Sequence, residues 1–198
     1  MTVKLKYGNT NTFFIRGTHG GLLLDTDFAG TLHQFYREIK KNGISVQEIT
    51  YVLATHYHPD HMGLISELAQ LGIRLLIVDT QLPYIHFSDE IFKRDNRLTI
   101  SPTIQEEKAT VIGCAESRGF LEQLGICGEI IYTPSHSQDS ISLMLDNGEC
   151  FVGDLEPAEY IDGYDENVAL KKDWKNINSF SPRVIHYGHA NDKEIDDE

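Results

Sequence analysis

The chain has 198 residues, 40% of them hydrophobic and 24% charged, enough for one domain with a real core. Its net charge is −13, which repels phosphate backbones, so nucleic acid is not an expected partner. No run of about 18 apolar residues could span a membrane, and the first residues lack the apolar core of an export signal. The three cysteines, Cys114, Cys127 and Cys150, are scattered and form no CxxC, so reduced thiols in a cytoplasmic protein are expected.

Strand-like pieces come first. VKLKY (3–7), TFFIR (12–16) and GLLLDTD (21–27) are short, and the Gly-containing stretches GNTN and GTHGG punctuate them. Residues 30–43 read as a helix, with Leu32, Phe35, Tyr36 and Ile39 at helical spacing and Gly43 closing it. EITYVLATH (48–56) suits a buried strand. Residues 60–72 read as a helix with Leu64, Ile65, Leu68 and Leu71 on one face, and IRLLIVD (73–79) as another buried strand. Residues 80–109 show no clear period. Their aromatics, Tyr84, Phe87 and Phe92, read as core or lid. Residues 118–125 look helical and 129–134 extended. The clearest local signal is 140–154, two strands joined by Asp146-Asn147-Gly148 as a hairpin turn. An amphipathic helix over 165–180 and a last strand over 183–189 follow, and the acidic end, NDKEIDDE, reads as a solvated terminus. Mixed sheets covered by helices fit this order. No linker divides it, so residues 1–198 are expected to form a single domain of the α/β class.

The stretch THYHPDHMG (55–63) places three of the nine histidines and an aspartate within six residues. It leaves a strand, where alternate side chains share a direction, so His56 and His58 converge. Pro59 keeps His58 extended and starts a helix. Asp60 then sits near the positive end of that helix, and His61 points elsewhere from the first turn. Imidazole and carboxylate donors suit zinc, and also iron or manganese. Two directions of ligation call for two ions and for further donors. His136, Asp154 and His189 are candidates, each at a strand end or just beyond it, where α/β folds place their sites.

The signature HxHxDH followed by Gly resembles that of the metallo-β-lactamase superfamily. TPSHSQDSISL (133–143) resembles its TPGHTxGS motif, FVGDL (151–155) its bridging aspartate, YGHA (187–190) its last histidine, and GGLLLDTD its early LIDTG strand, with Asp25 at the matching place. The resemblance implies an αββα sandwich with the metal centre at one edge of the two sheets. It implies that His56, His58 and His136 hold one divalent ion, that Asp60, His61 and His189 hold a second, and that Asp154 bridges them. Ser135 stands where the family has Gly, and Leu64 where many hydrolytic members have a second Gly.

The expected function is hydrolysis of a small acyl substrate, a thioester, lactone or related ester, by a hydroxide bridging two ions, zinc first and iron or manganese next. Asp60 is the expected catalytic residue, orienting the hydroxide or passing its proton. Asp25 either hydrogen-bonds a ligand imidazole or only forms a turn after its strand. Tyr57 should point away from the ligands and pack. His33 reads as surface and His186 as core, while His19 and His86 are candidates for the site mouth. Alternatives are a small-molecule phosphodiesterase, a diiron redox protein and a non-hydrolytic metal-binding protein. The chain ends soon after His189, which argues against the helical substrate domain of glyoxalase II-like thioesterases.

Overall fold

Alternation of side chains along the strands decides how the layers stack. The structure, a computed structural model, describes residues 1–95, 103–163 and 167–195. Strands β1 (Thr2–Leu5), β2 (Thr12–Arg16), β3 (Gly21–Leu24), β4 (Ile49–Leu53), β5 (Arg74–Val78) and β6 (Thr110–Ile112) form a six-stranded sheet in that order. The first three pair antiparallel, and β3 to β6 run parallel. Strands β7 (Gly128–Tyr132), β8 (Ile141–Leu145), β9 (Glu149–Gly153), β10 (Val184–Tyr187) and β11 (Lys193–Glu194) form a five-stranded sheet in the order β11-β10-β9-β8-β7.

Phe13, Ile15, Leu22, Leu24, Tyr51 and Leu53 of the first sheet pack against Ile130, Ile141, Leu143 and Phe151 of the second. The residues between them, Phe14, Leu23 and Val52, turn outward onto helices α1 (Leu32–Lys41) and α3 (Ile65–Gln70), meeting Phe35, Ile39, Ile65 and Leu68. Met144, Cys150, Val152 and Ile185 likewise face outward onto Leu170, Trp174 and Ile177 of α6 (Val168–Asn178). Both faces of each sheet are thus covered, giving the expected αββα sandwich. Each fully buried Leu, Ile or Phe stabilises by about 1.5–3 kcal/mol, so a one-residue slip that swapped inner and outer sets is strongly disfavoured.

The structure departs from the sequence expectation in places. The helix expected over 60–72 is two, α2 (Pro59–Met62) and α3, interrupted at Gly63. The chain at 27–29 presses on that break, and a Cβ on Gly63 would lie 2.2 Å from the Ala29 amide nitrogen. Within 80–109 the chain forms a 3₁₀ turn over Asp79–Tyr84, helix α4 (Asp89–Arg94) and a 3₁₀ turn over Glu106–Lys108, pieces too short to show a period. Residues 96–102 fall outside the described residues. Helix α5 spans Ser117–Leu124 as expected. Helix α6 begins where the Asn167 side chain accepts a hydrogen bond from the Leu170 amide, and residues 165 and 166 of the expected helix lie outside the described residues. Among the described residues no helix is long and apolar enough to cross a membrane.

Strands β3 and β4 run parallel, as do β9 and β10. Their C-terminal ends therefore open at common edges, and Asp25, His56, Asp154 and His189 all follow those ends.

Candidate metal centre

Strand β4 ends at Leu53 and the chain bends at Thr55 and His56; His58 has extended φ and ψ of −69° and 151°, and Pro59 then opens α2. This places Asp60 and His61 in a first helical turn while His56 and His58 precede it. Two donor groups result. His56 Nε2 lies 2.9 Å from His58 Nδ1, and His136 Nε2 lies 3.3 Å from the same atom. In the other group His189 Nε2 lies 3.1 Å from Asp60 Oδ2 and 3.3 Å from His61 Nε2. Asp154 stands between them. Its Oδ2 is 3.8 Å from both His56 Nε2 and His136 Nε2, and its Oδ1 is 3.2 Å from His61 Nε2 and 3.4 Å from His189 Nε2. All seven residues singled out in the sequence thus meet in two groups that could hold a metal ion.

The geometry suits cations better than direct hydrogen bonds. Donors about 2.0–2.1 Å from a tetrahedral ion sit about 3.3 Å from one another, and the separations above scatter around that edge. Asp154 Oδ1 is buried without a hydrogen bond of acceptable geometry, a costly state for a carboxylate oxygen unless a cation faces it. The backbone also makes room. Gly188 packs so closely that a Cβ would lie 2.5 Å from Asp154 Oδ1 and 2.8 Å from the His61 ring.

Asp25 settles its two readings. Its backbone sits at φ 58°, an uncommon conformation that Asp tolerates. There it accepts hydrogen bonds from the Thr55 amide (2.6 Å), the Thr55 hydroxyl (2.9 Å) and His61 Nδ1 (3.0 Å). With Nδ1–H committed to Asp25, His61 Nε2 is left as the free donor atom. Because the Thr55 hydroxyl proton is spent on Asp25, Thr55 Oγ1 is available to accept from His56 Nδ1, 3.1 Å away. One carboxylate therefore sets the ring tautomer of a histidine in each group, directly for His61 and through Thr55 for His56.

Sequence reasoning passed over several other supports. The Ser135 amide donates to the buried Asp173 carboxylate (2.8 Å), which anchors the loop of His136 from α6. The Tyr57 amide donates to Asp139 (2.6 Å). The Thr10 hydroxyl donates to the Asp60 carbonyl (2.7 Å), and the Asn11 side-chain amide donates to the carbonyls of Tyr187 and Ala190, each at 2.8 Å. These partners lie 38 to 179 residues apart in the chain, so no local pattern announces them.

Burial, reinforced by the surrounding imidazoles, holds the His56 pKa well below the ordinary value. Burial also lowers that of His136. His61 behaves oppositely. Burial opposes its charged form, but Asp25 and Asp154 outweigh that and raise its pKa to about 10. Burial works against the Asp154 anion too, and the adjoining His61 nevertheless keeps its pKa below the usual carboxylate value. His56 and His136 are thus neutral and ready to ligate, whereas a cation at His61 Nε2 must displace a proton.

The remaining histidines sit elsewhere. His33 is exposed on α1, and His19 is exposed beside Leu124. His86 pairs with Asp89 at 3.1 Å. His186 packs against the rings of Phe13 and Phe151, which also touch each other. Tyr57 is fully buried in the outer core of the first sheet, packed with Met62 and Ile85 rather than among the ligands. Phe87 is not core, being 62% exposed with its ring 5.9 Å from that of His58. Phe92 is buried.

The sequence profile of the metallo-beta-lactamase superfamily matches residues 5–189. The chain is 29% identical over 155 residues to "Probable metallo-hydrolase MJ0888" of Methanocaldococcus jannaschii, covering 74% of this chain and 68% of the relative. It is 24% identical over 188 residues to the beta-lactamase-like protein 2 homolog of Drosophila melanogaster, covering 92% of this chain but only 59% of the fly protein. The crystal structure of TTHA1623 in a di-iron-bound form superposes with a TM-score of 0.72 at 19% identity, covering 98% of this chain and 94% of the other. That likeness concerns the fold.

Proposed function

The chain belongs to the metallo-beta-lactamase superfamily, and from that premise we propose that it is a dinuclear metal-dependent hydrolase of a small acyl substrate. The observation that carries this reading is the placement of Asp154, one carboxylate oxygen 3.2–3.4 Å from donors of one group and the other 3.8 Å from donors of the second. His56, His58 and His136 would hold one ion, Asp60, His61 and His189 the other, and Asp154 both. Zinc is the first candidate, and iron or manganese suit the same donors. Such ions, when bound, supply Lewis acidity toward a carbonyl oxygen and lower the pKa of water.

The protein's own part is positional. Asp25 retains the Nδ1 proton of His61, which keeps Nε2 aimed inward. Asp60, whose carbonyl accepts from the Thr10 hydroxyl, would orient the attacking water and accept its proton on the carboxylate. The water oxygen bonds to the acyl carbon, the bond to the ester oxygen or thioester sulfur breaks, and the proton passes to that leaving atom. A carboxylic acid and an alcohol or thiol result.

The test is a panel of acyl esters, thioesters and bis-p-nitrophenyl phosphate, run on protein whose metal content is measured. Acyl turnover that rises with loading toward two ions per chain is expected. Faster phosphodiester turnover, or no turnover at full loading, overturns the reading.

A further inference from the structure

We propose that Phe87 is a specificity-determining residue, its ring being the surface on which an aryl group of the substrate packs beside the scissile carbonyl. This role rests on the hydrolase reading above and narrows it to a substrate class. The Phe87 ring lies 5.9 Å from that of His58, a donor of the first group, at an angle of 44°. The residue is 62% exposed. An exposed apolar side chain is ordinary by itself. This one is held in place next to a candidate ion ligand.

The hold comes from two directions. Ile85 is fully buried in the same outer core as Tyr57. Ser88, also fully buried, donates its hydroxyl proton to the Tyr57 carbonyl (2.6 Å). The Phe87 amide donates to the Tyr84 carbonyl (2.8 Å), and the Tyr84 hydroxyl donates to the Gln138 side-chain oxygen. Tyr57 directly precedes His58, and Gln138 lies two residues beyond His136. The turn over 84–88 is therefore tied to both chain segments that supply the first group.

A ring carried on so fixed a turn loses little further freedom when a ligand covers it, and covering it removes apolar surface from water. The His136 side of the same group differs. A cavity of about 140 Å³ there is lined by Ser135, Glu156 and Asn167, together with His136 and Leu170. A hydrocarbon placed in it would leave polar groups unpaired. On Phe87 it meets matching surface, and a flat ring adds aromatic packing to plain burial. The two sides thus orient a substrate by its apolar end, with that end over Phe87.

The test uses three thioesters with the metal-loaded protein: S-ethyl thioacetate, S-ethyl phenylthioacetate and S-benzyl thioacetate. They place a ring on neither side, the acyl side and the leaving side of the scissile bond. The kcat/KM of each aryl thioester is divided by that of S-ethyl thioacetate in the wild type and in Phe87→Ser, Phe87→Leu and Phe87→Tyr. Intrinsic reactivity cancels when these ratios are compared between proteins. For at least one aryl thioester the ratio should fall about tenfold in Phe87→Ser, chiefly through KM, recover in part in Phe87→Leu and return in Phe87→Tyr. Metal content should be the same in all four proteins. A second readout is amide NMR of labelled, zinc-loaded protein titrated with 2-phenylacetamide, a neutral compound, with shifts expected at residues 84–88 and lost in Phe87→Ser. Aryl ratios that stay at the wild-type value in Phe87→Ser, whether the variant keeps its ions or loses them because the ring merely covers His58, overturn the assignment and leave the hydrolase reading intact. So do 2-phenylacetamide shifts confined to other residues. No turnover of any of the three thioesters by the fully loaded wild type overturns the hydrolase reading and the assignment with it.

Discussion

The two donor groups are built alike and supported differently. Each takes two residues from the 56–61 segment and one from a loop of the second sheet, His136 after β7 or His189 after β10. The first is three imidazoles, and the inward aim of His56 depends on a neutral hydroxyl, Thr55 Oγ1. The second contains a carboxylate of its own, Asp60, and its buried histidine is backed by another, Asp25. An anion behind an imidazole raises its basicity as well as fixing its tautomer, whereas a hydroxyl does mainly the latter. The second group is therefore the more strongly charged of the two and the more sensitive to its backing residue. Asp25 nevertheless reaches both, since it holds the hydroxyl that holds His56.

The largest effect belongs to the residue the groups share. Asp154→Asn keeps the shape and removes the charge. We expect metal content, measured by elemental analysis, to fall from two ions per chain to one or none, and acyl hydrolysis to fall on the order of 10³-fold. If both ions remained at full occupancy, Asp154 would not be their bridge.

Asp25→Asn comes next and separates the groups. Asn accepts the φ of 58° at this position, so the backbone should hold. Loss of the carboxylate should weaken ion binding at the second group about 10–100-fold, with a smaller loss at the first. Anomalous-scattering occupancies at the two positions under limiting metal would show the asymmetry. Equal losses would mean that the Thr55 relay matters as much as the direct bond to His61.

What could be read in advance follows the range of each interaction. The sheets and covering helices were legible because alternation in Phe13-Phe14-Ile15 and spacing in Phe35 and Ile39 are local signals. So was the meeting of the seven candidate residues in two groups that could hold an ion, because their chemistry shows in residue type and their positions in strand ends. The supports were not. Asp173 holds the His136 loop from a helix 38 residues away, and Asn11 holds the His189 loop across more than 170 residues. A lone Asn or Asp in the sequence carries no mark of such a partner. The break of the 60–72 helix was hidden for the same reason, since it depends on Gly63 meeting the backbone near Ala29. Asp25 was visible as a candidate but not decidable, because its bond to His61 spans 36 residues.

Thr55→Val sharpens the comparison from the other side. It preserves the β-branched shape and deletes only the hydroxyl, so His56 loses the acceptor for Nδ1–H while His61 keeps Asp25. Ion affinity at the first group should fall about tenfold, the low end for such supports, and the second should change less. Metal titration against a competing chelator measures both steps. A greater loss at the second group would contradict the assignment of Thr55 to His56.

The smallest effect lies outside both groups and fixes the floor of the comparison. Asp192 accepts a hydrogen bond from Lys4 at 2.9 Å and faces His186 Nδ1 at 3.0 Å, on the strand that leads to His189. Burial works against its anion, but Lys4 and His186 outweigh that and hold its pKa below the usual carboxylate value. A carboxyl whose pKa is lowered by folding binds fewer protons in the folded state than in the unfolded one. Its contribution is therefore complete above the unfolded value, about 3.9, and disappears as pH falls through the lower folded one. The Asp192 side chain is 35% exposed, so solvent screening limits the contribution to a few tenths of a kcal/mol. Urea unfolding of Asp192→Asn should show a deficit of about that size at pH 7, shrinking as the pH is taken down through the carboxylate range, with both ions retained. A loss of the second ion in this variant would show that the His189 group depends on the packing of β10 as well as on its own backing residue, and the contrast with the first group would then be one of scaffold rather than of charge.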